Sequence, residues 1–256
     1  MSNTKMEIKE RYQVVITSHN CAYFLKRCLE SVDKIFKNKN WILIFIDDGS
    51  TDHTEEELQR ITPNLSYDFY VTKKLPKAYS VGMAKNRALK IAKQYEKDYP
   101  IICGMDADDE MGPDRLSLYP EMERLNSKFV YSGYKIFRNR DASQVIQSYE
   151  VSIHLKFAWW ATLFHASLIP ENGKFFREDF KAYEDIMKWW ELRYKEGVEM
   201  HEIPNLVTHH YFKRTPSVST SVGPEESRKL LLEKHKIYPV PDFEECLAVC
   251  NERCGD

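Results

Sequence analysis

The chain has 256 residues, 43% of them hydrophobic and 30% charged, enough apolar mass for one large domain or two small ones. Its 37 Lys and Arg against 39 Asp and Glu leave a formal charge of −2, which argues against a protein held to nucleic acid by bulk charge. Aromatic residues at 13% exclude a disordered chain, and no apolar run is long enough to cross a bilayer. Residues 1–13 (MSNTKMEIKERYQ) lack the apolar core of a signal peptide, so the sequence predicts a soluble, cytosolic protein. The six cysteines do not form a dense disulfide framework. Cys246, Cys250 and Cys254 repeat every four residues, but a metal site would need a fourth ligand and usually a tighter spacing.

In chain order, residues 12–17 (YQVVIT) form a β-branched run ending in the polar turn Ser18-His19-Asn20. Over residues 21–36, Phe24, Leu25, Cys28, Leu29, Val32, Ile35 and Phe36 recur with helical period. Residues 41–46 (WILIFI) are continuously apolar, as in a strand buried on both faces, and stop at the turn 47–52 (DDGSTD). A helical stretch then runs to about Ile61, residues 67–71 read as a third strand, and residues 80–95 as a helix. Residues 99–105 (YPIICGM) form a fourth strand that ends at 106–109 (DADD). The second half predicts strands over 128–134 and 144–151, an apolar stretch over 157–164 that could line a cleft, and an extended segment over 199–211. Residues 183–196 read as a helix, with Ile186, Met187, Trp189, Trp190 and Leu192 in helical array behind Glu184-Asp185. A further helix is expected over 224–236.

Strands alternating with helices predict a mainly parallel α/β sheet, in which ligands gather at the carboxyl ends of strands. Three polar clusters, SHN, DDGSTD and DADD, lie at three such ends. Crowding Asp106, Asp108 and Asp109 in one turn costs energy unless a cation or hydrogen-bond donors offset the repulsion. One reading is helix capping by Asp108 or Asp109 ahead of Pro113-Asp114-Arg115. The other is a divalent ion that takes the rest of its shell from substrate phosphates. An EF-hand does not fit, because Met111 stands where that loop requires glycine. Phosphate-cradling and dinucleotide glycine motifs are missing. Lys73, Lys74, Lys77, Lys85 and Arg87 suit either a diphosphate or a solvated basic face.

Taken together, these residues resemble the family 2 glycosyltransferases, which have the GT-A fold. The resemblance covers about residues 12–219 and is carried by VVITSHN (14–20), IDDGSTD (46–52), AKNRAL (84–89), MDADD (105–109), PDRL (113–116) and Tyr183-Glu184-Asp185. It implies a GT-A type Rossmann-like mixed, mainly parallel sheet flanked by helices. The glycosyltransferase domain would occupy residues 1–222, with a nucleotide-sugar half at about 12–125 and an acceptor half at about 126–222. A helical extension would occupy residues 223–256. Two departures from the family pattern are His19, where Tyr is usual, and Lys85, where Arg is usual and a bidentate phosphate contact is therefore lost.

The resemblance implies that Thr17 and Asp48 contact the nucleotide base, with Asp47, His19 and Asn20 in the same pocket. Lys85, Asn86, Asp106, Ala107 and Arg214 would serve the rest of the nucleotide sugar, Asp106 at the ribose and Arg214 from a closing loop. Asp108, with His210 (or His209), would hold Mn²⁺ or Mg²⁺ at the diphosphate. Asp185 would be the base, with Glu184 orienting donor or acceptor. The expected reaction is inverting transfer from a nucleoside diphosphate sugar, most commonly a UDP sugar, to a glycan or cell-surface polysaccharide precursor. A hydroxylated DNA base as acceptor, or a non-catalytic nucleotide-sugar binding protein, are the alternatives. The implied location is the cytoplasm, free or recruited to a membrane surface.

Overall fold

The β-branched and apolar runs of the first half become the centre of one sheet. The structure is a computed structural model that describes residues 8–141, 144–150, 158–180, 184–213 and 229. Strand β1 (Arg11–Ser18) pairs in parallel with β2 (Asn40–Asp48) on one side and β4 (Ile101–Asp106) on the other. Outside β2 lies β3 (Phe69–Leu75), also parallel. Alternate side chains of these strands enter two cores. Val14, Ile16, Leu43, Phe45, Cys103 and Met105 pack with Leu25, Cys28, Leu29 and Val32 of helix α1 (Ala22–Phe36). Val15, Ile42, Ile44, Ile46 and Ile102 face the other way, onto Ala88, Leu89 and Ala92 of helix α3 (Val81–Ala92). Burial on both faces explains why WILIFI shows no alternation. Helix α2 (Thr54–Ile61) follows the DDGSTD turn and packs on α1.

The second half extends the same sheet with mixed polarity. β8 (Thr162–His165) runs antiparallel to β4, and β6 (Phe129–Asp141) runs antiparallel to β8. β9 (His201–Lys213) lies parallel to β6, while the short β5 (Glu110–Met111) pairs antiparallel with β9. The order is β3-β2-β1-β4-β8-β6-β9-β5, with β7 (Gln144–Glu150) hydrogen-bonded to β6. The apolar stretch 157–164, expected at a cleft, supplies the tight turn Trp159–Ala161 and then β8, in the middle of the sheet. Helix α5 (Glu184–Trp190) continues into a wider π turn over Glu191–Lys195. After Pro113-Asp114 a tight turn over Arg115–Ser117 leads into α4 (Leu118–Arg124), and Asp114 accepts from the Val207 amide at 3.0 Å. The helix expected over 224–236 and Cys246, Cys250 and Cys254 lie outside the described residues, apart from Lys229.

A buried arginine joins the halves. Arg115 is fully buried and donates to the Cys103 sulfur at 3.0 Å, the Gly104 carbonyl at 3.2 Å and the Thr162 carbonyl at 2.7 Å. It donates also to the Trp160 carbonyl. Its guanidinium thus ties β4 to the turn 159–161 and to β8. Arg115→Ala would take these donors away from buried carbonyls. We expect it to lower unfolding stability by about 3 kcal/mol or more, read by urea denaturation.

Candidate active site

Strand register sets the first part of the site. Ser18 lies beside Asp47, and Thr17 beside Asp106. The loops after β1 and β2 are stitched together by Asn20, which the resemblance assigns to the nucleotide pocket, and by Asp52. Asn20, in the left-handed region at φ 53°, donates its amide to the Ser50 hydroxyl at 2.9 Å, and its side-chain oxygen accepts from the Thr51 amide at 2.8 Å. Asp52 accepts from the Ala22 and Thr54 amides at 3.1 Å each and from the Thr54 hydroxyl at 2.5 Å. Gly49 has φ +71°, and a Cβ there would stand 2.6 Å from the Lys77 nitrogen, so the turn needs glycine. Asp48 accepts from the Ala78 amide at 2.8 Å and from Arg87 at 3.2 Å, and His19 Nδ1 lies 3.0 Å from the Asp48 carbonyl. On paired positions of β1 and β2, Asp47 Oδ2 and Ser18 Oγ are buried and have no hydrogen-bond partner.

The DADD turn divides its carboxylates between two tasks. Asp106 accepts from the Trp159 indole N–H at 3.2 Å. Burial pushes the Asp106 carboxyl up to about 6; the Lys85 ammonium opposes that rise and Asp108 adds to it. Asp108 is half-buried, and its carbonyl accepts from Arg27 at 2.6 Å. Ala107, between them, is buried in the core and makes no exposed surface for a ligand. Asp109 does not cap a helix. It is fully buried, 2.9 Å from His209 Nε2, and accepts from the Phe212 amide at 2.8 Å. Burial raises Asp109 and lowers His209, so both shifts favour the uncharged forms of the pair. His209 also stacks on Trp160, with centroids 4.3 Å apart. His210 points the other way on β9, with Nδ1 3.5 Å from Glu110.

Among the described residues, no three His, Cys, Asp or Glu side chains are grouped to hold a metal by themselves. The charge pattern nevertheless fits a cation: Asp106 is crowded by Asp108, Glu184 and Asp185 lie nearby, and Lys85 is a positive group acting on the cluster, with Arg27 at the Asp108 carbonyl. An ion drawing its remaining ligands from a diphosphate suits such a pair of carboxylates.

Lys85 and Asn86, assigned to the nucleotide sugar by the resemblance, have their polar atoms bonded to α5 and to the segment before it. Gly82 brings α3 against α5: a Cβ on it would lie 2.1 Å from the Arg177 carbonyl and 3.4 Å from Glu184 Cβ. One turn on, Lys85 Nζ donates to Glu184 Oε1 at 2.6 Å, with both side chains only 4% exposed. Burial would lower the Lys85 ammonium, but Glu184, Asp106 and Asp185 outweigh it and hold the charge well above the ordinary lysine range. Asn86 accepts from the Phe175 and Phe176 amides at 3.0 and 2.7 Å. Its NH₂ donates to the Phe176 carbonyl at 2.8 Å and to Glu178 at 3.0 Å, so the whole amide is committed to the segment before α5. Asp185 Oδ2, also buried, accepts from the Trp159 backbone amide at 3.1 Å. Tyr183 and Arg214 lie outside the described residues.

A family model described as glycosyl transferase family 2 matches residues 13–185, more than half of the chain. The chain belongs to glycosyl transferase family 2. No curated protein sequence matches it significantly. TarS from S. aureus, residues 1–349 in complex with UDP, aligns with TM-score 0.61 at 16% identity, over 86% of this chain and 63% of that one. The TarS complex with UDP-GlcNAc aligns with TM-score 0.62 at 16% identity, over 95% and 72%. The mannosyltransferase PcManGT from Pyrobaculum calidifontis, with GDP-Man and Mn²⁺, aligns with TM-score 0.62 at 16% identity, over 94% and 68%. The chain thus spans about two thirds of the length of these structures, which share its GT-A fold. Among the described residues no helix is long and apolar enough to cross a membrane.

Nothing in the sequence of this family 2 chain marks Trp159 for this cluster, and Arg87 stands out only as one of the basic residues that suit a diphosphate or a solvated face. Arg87 donates to Asp48, and Trp159 touches both Asp106 and Asp185. Neither spacing nor residue type distinguishes Trp159 from a core aromatic. Because the folded pKa of Asp106 lies above its unfolded value, its contribution to stability is full at low pH and is lost as pH rises through about 6. Asp106→Asn, which resembles the protonated form, should therefore gain stability relative to the parent as pH rises from 5 to about 8. Paired thermal melts of the ligand-free proteins read that difference.

Proposed function

We propose that the chain transfers a sugar from a nucleoside diphosphate sugar to an acceptor hydroxyl, with inversion at the anomeric carbon. The observation that carries this reading is one buried cluster in which donor-side Asp106 and α5 residues Glu184 and Asp185 meet around Lys85 and Trp159. A base on the far side of the sugar from the leaving diphosphate is what a single displacement requires. Family membership and the nucleotide-bound relatives support the donor class.

In this reading Thr17 and Asp48 face the nucleobase, with Arg87 and the Ala78 amide orienting Asp48. Asp47 Oδ2 and the Ser18 hydroxyl, buried and unsatisfied, are the polar atoms that a bound nucleoside or its water would complete. His19 and Asn20 shape the rim of that pocket. Asp106 takes the ribose side. Mn²⁺ or Mg²⁺, held by Asp108 with His210, would stabilise the negative charge of the departing diphosphate. Asp185 accepts the proton of the acceptor hydroxyl while that oxygen bonds to the anomeric carbon and the carbon–phosphate oxygen bond breaks. The Lys85–Glu184 pair holds the start of α5 against α3, so its role is on the acceptor side. UDP is the preferred donor nucleotide, and a glycan or polysaccharide precursor the preferred acceptor.

The reading is tested with a panel of UDP- and GDP-sugars, by metal-dependent hydrolysis and by transfer. Asp185→Asn should keep donor binding and lower transfer by about 10²-fold or more, the scale of general base catalysis. Transfer at the parental rate in that variant would remove Asp185 from the base role.

A further inference from the structure

Trp159 occupies a position that packing alone does not require. Its side chain is fully buried, edge-on to Phe176 at 5.9 Å, with Lys85 Nζ 5.3 Å from its ring. The ring lies over Gly104 of β4 so closely that a Cβ there would stand 2.4 Å from it. That glycine lets the indole reach the end of β4. There its N–H meets Asp106 Oδ1 at 3.2 Å, while its own backbone N–H meets Asp185 Oδ2 at 3.1 Å. One residue therefore makes a directed contact to a donor-side carboxylate and another to the carboxylate that begins α5. Its backbone is fixed in turn, because Arg115 grips the carbonyl of Trp160 within the turn and that of Thr162 just after it. A phenylalanine would fill much of the same space, but only a ring N–H satisfies Asp106.

We propose that Trp159 is a positioning residue that fixes Asp106 and Asp185 relative to each other, so that a donor seated by the first is presented to the base. The inference rests on the transfer reading above and adds a residue to it. The physical reason is distance tolerance: displacing a reacting group by about 1 Å can cost about 10²-fold in rate. With the indole N–H gone, Asp106 loses a fixed donor and the bound sugar is no longer aligned with Asp185. Donor cleavage by water does not need that alignment, so transfer suffers more than hydrolysis.

The test uses the full chain with the sugar nucleotide that turns over fastest in the panel. Residue 159 is replaced by benzothienylalanine, which exchanges the ring N–H for sulfur and keeps the shape, by Phe, and by His, whose Nε2 occupies the same ring position as the indole nitrogen. Benzothienylalanine and Trp159→Phe should lower the transfer-to-hydrolysis ratio by about tenfold or more, with UDP affinity by calorimetry nearly unchanged, and Trp159→His should recover most of the loss. An unchanged ratio with benzothienylalanine overturns the proposal, as does a loss in all three variants that simply follows their melting temperatures. A second readout needs no turnover: the Trp159 indole proton should exchange slowly with solvent in the parent and faster in Asp106→Ala, which removes its acceptor, and equal exchange in the two would also overturn it. If Asp185→Asn transfers normally, the base reading fails instead, and the exchange result still stands by itself.

Discussion

The arrangement depends on holding like charges together away from water. Asp106, Glu184 and Asp185 converge on the single ammonium of Lys85, and Asp108 adds to the repulsion on Asp106. A buried carboxylate is stable only when it is paired or hydrogen-bonded. Each of these has such a partner: Lys85 for Glu184, the Trp159 amide for Asp185 and the Trp159 indole for Asp106. A divalent cation with its phosphate-bound substrate would add positive charge where these carboxylates crowd.

Around that cluster, much of the conspicuous sequence serves geometry rather than ligand contact. Asn20, Ser50, Asp52 and Thr54 bind one another across two loops, and Asn86 holds the segment 175–178. Asp109 and His209 pin the DADD turn to β9, and Arg27 caps the Asp108 carbonyl while lying 3.7 Å over the Phe212 ring. Rigid loops are what an electrostatic site needs, because donors and charges fixed in advance cost no reorganisation during reaction.

The parallel half was legible because its strands are short apolar runs that each stop at a polar turn. β1, β2 and β4 have nearly the expected limits, and helical periodicity located α1 and α3. The second half was harder to read for a physical reason. Residues 162–165 form an interior strand between β4 and β6, tied in by Arg115, 47 residues before Thr162, and such long-range contacts leave no local pattern. The same holds at the site. DADD and Glu184-Asp185 stand out as carboxylate pairs, but the division of labour between Asp108 and Asp109 depends on His209, a hundred residues away from Asp109. Lys85 looked like a phosphate ligand because its neighbours in sequence are basic, whereas its neighbours in space are acidic.

The central claim is that the end of β4 and the start of α5 open onto one donor site. Crystals of the chain grown with UDP and Mn²⁺, with data collected at the manganese absorption edge, test it most directly. The account predicts an anomalous peak beside Asp108, bridged to the diphosphate, with the terminal phosphate facing Asp185 and the uracil lying by Asp47 and Asp48. Manganese and nucleotide bound together elsewhere on the surface, with Asp185 turned away from the phosphate, would contradict it.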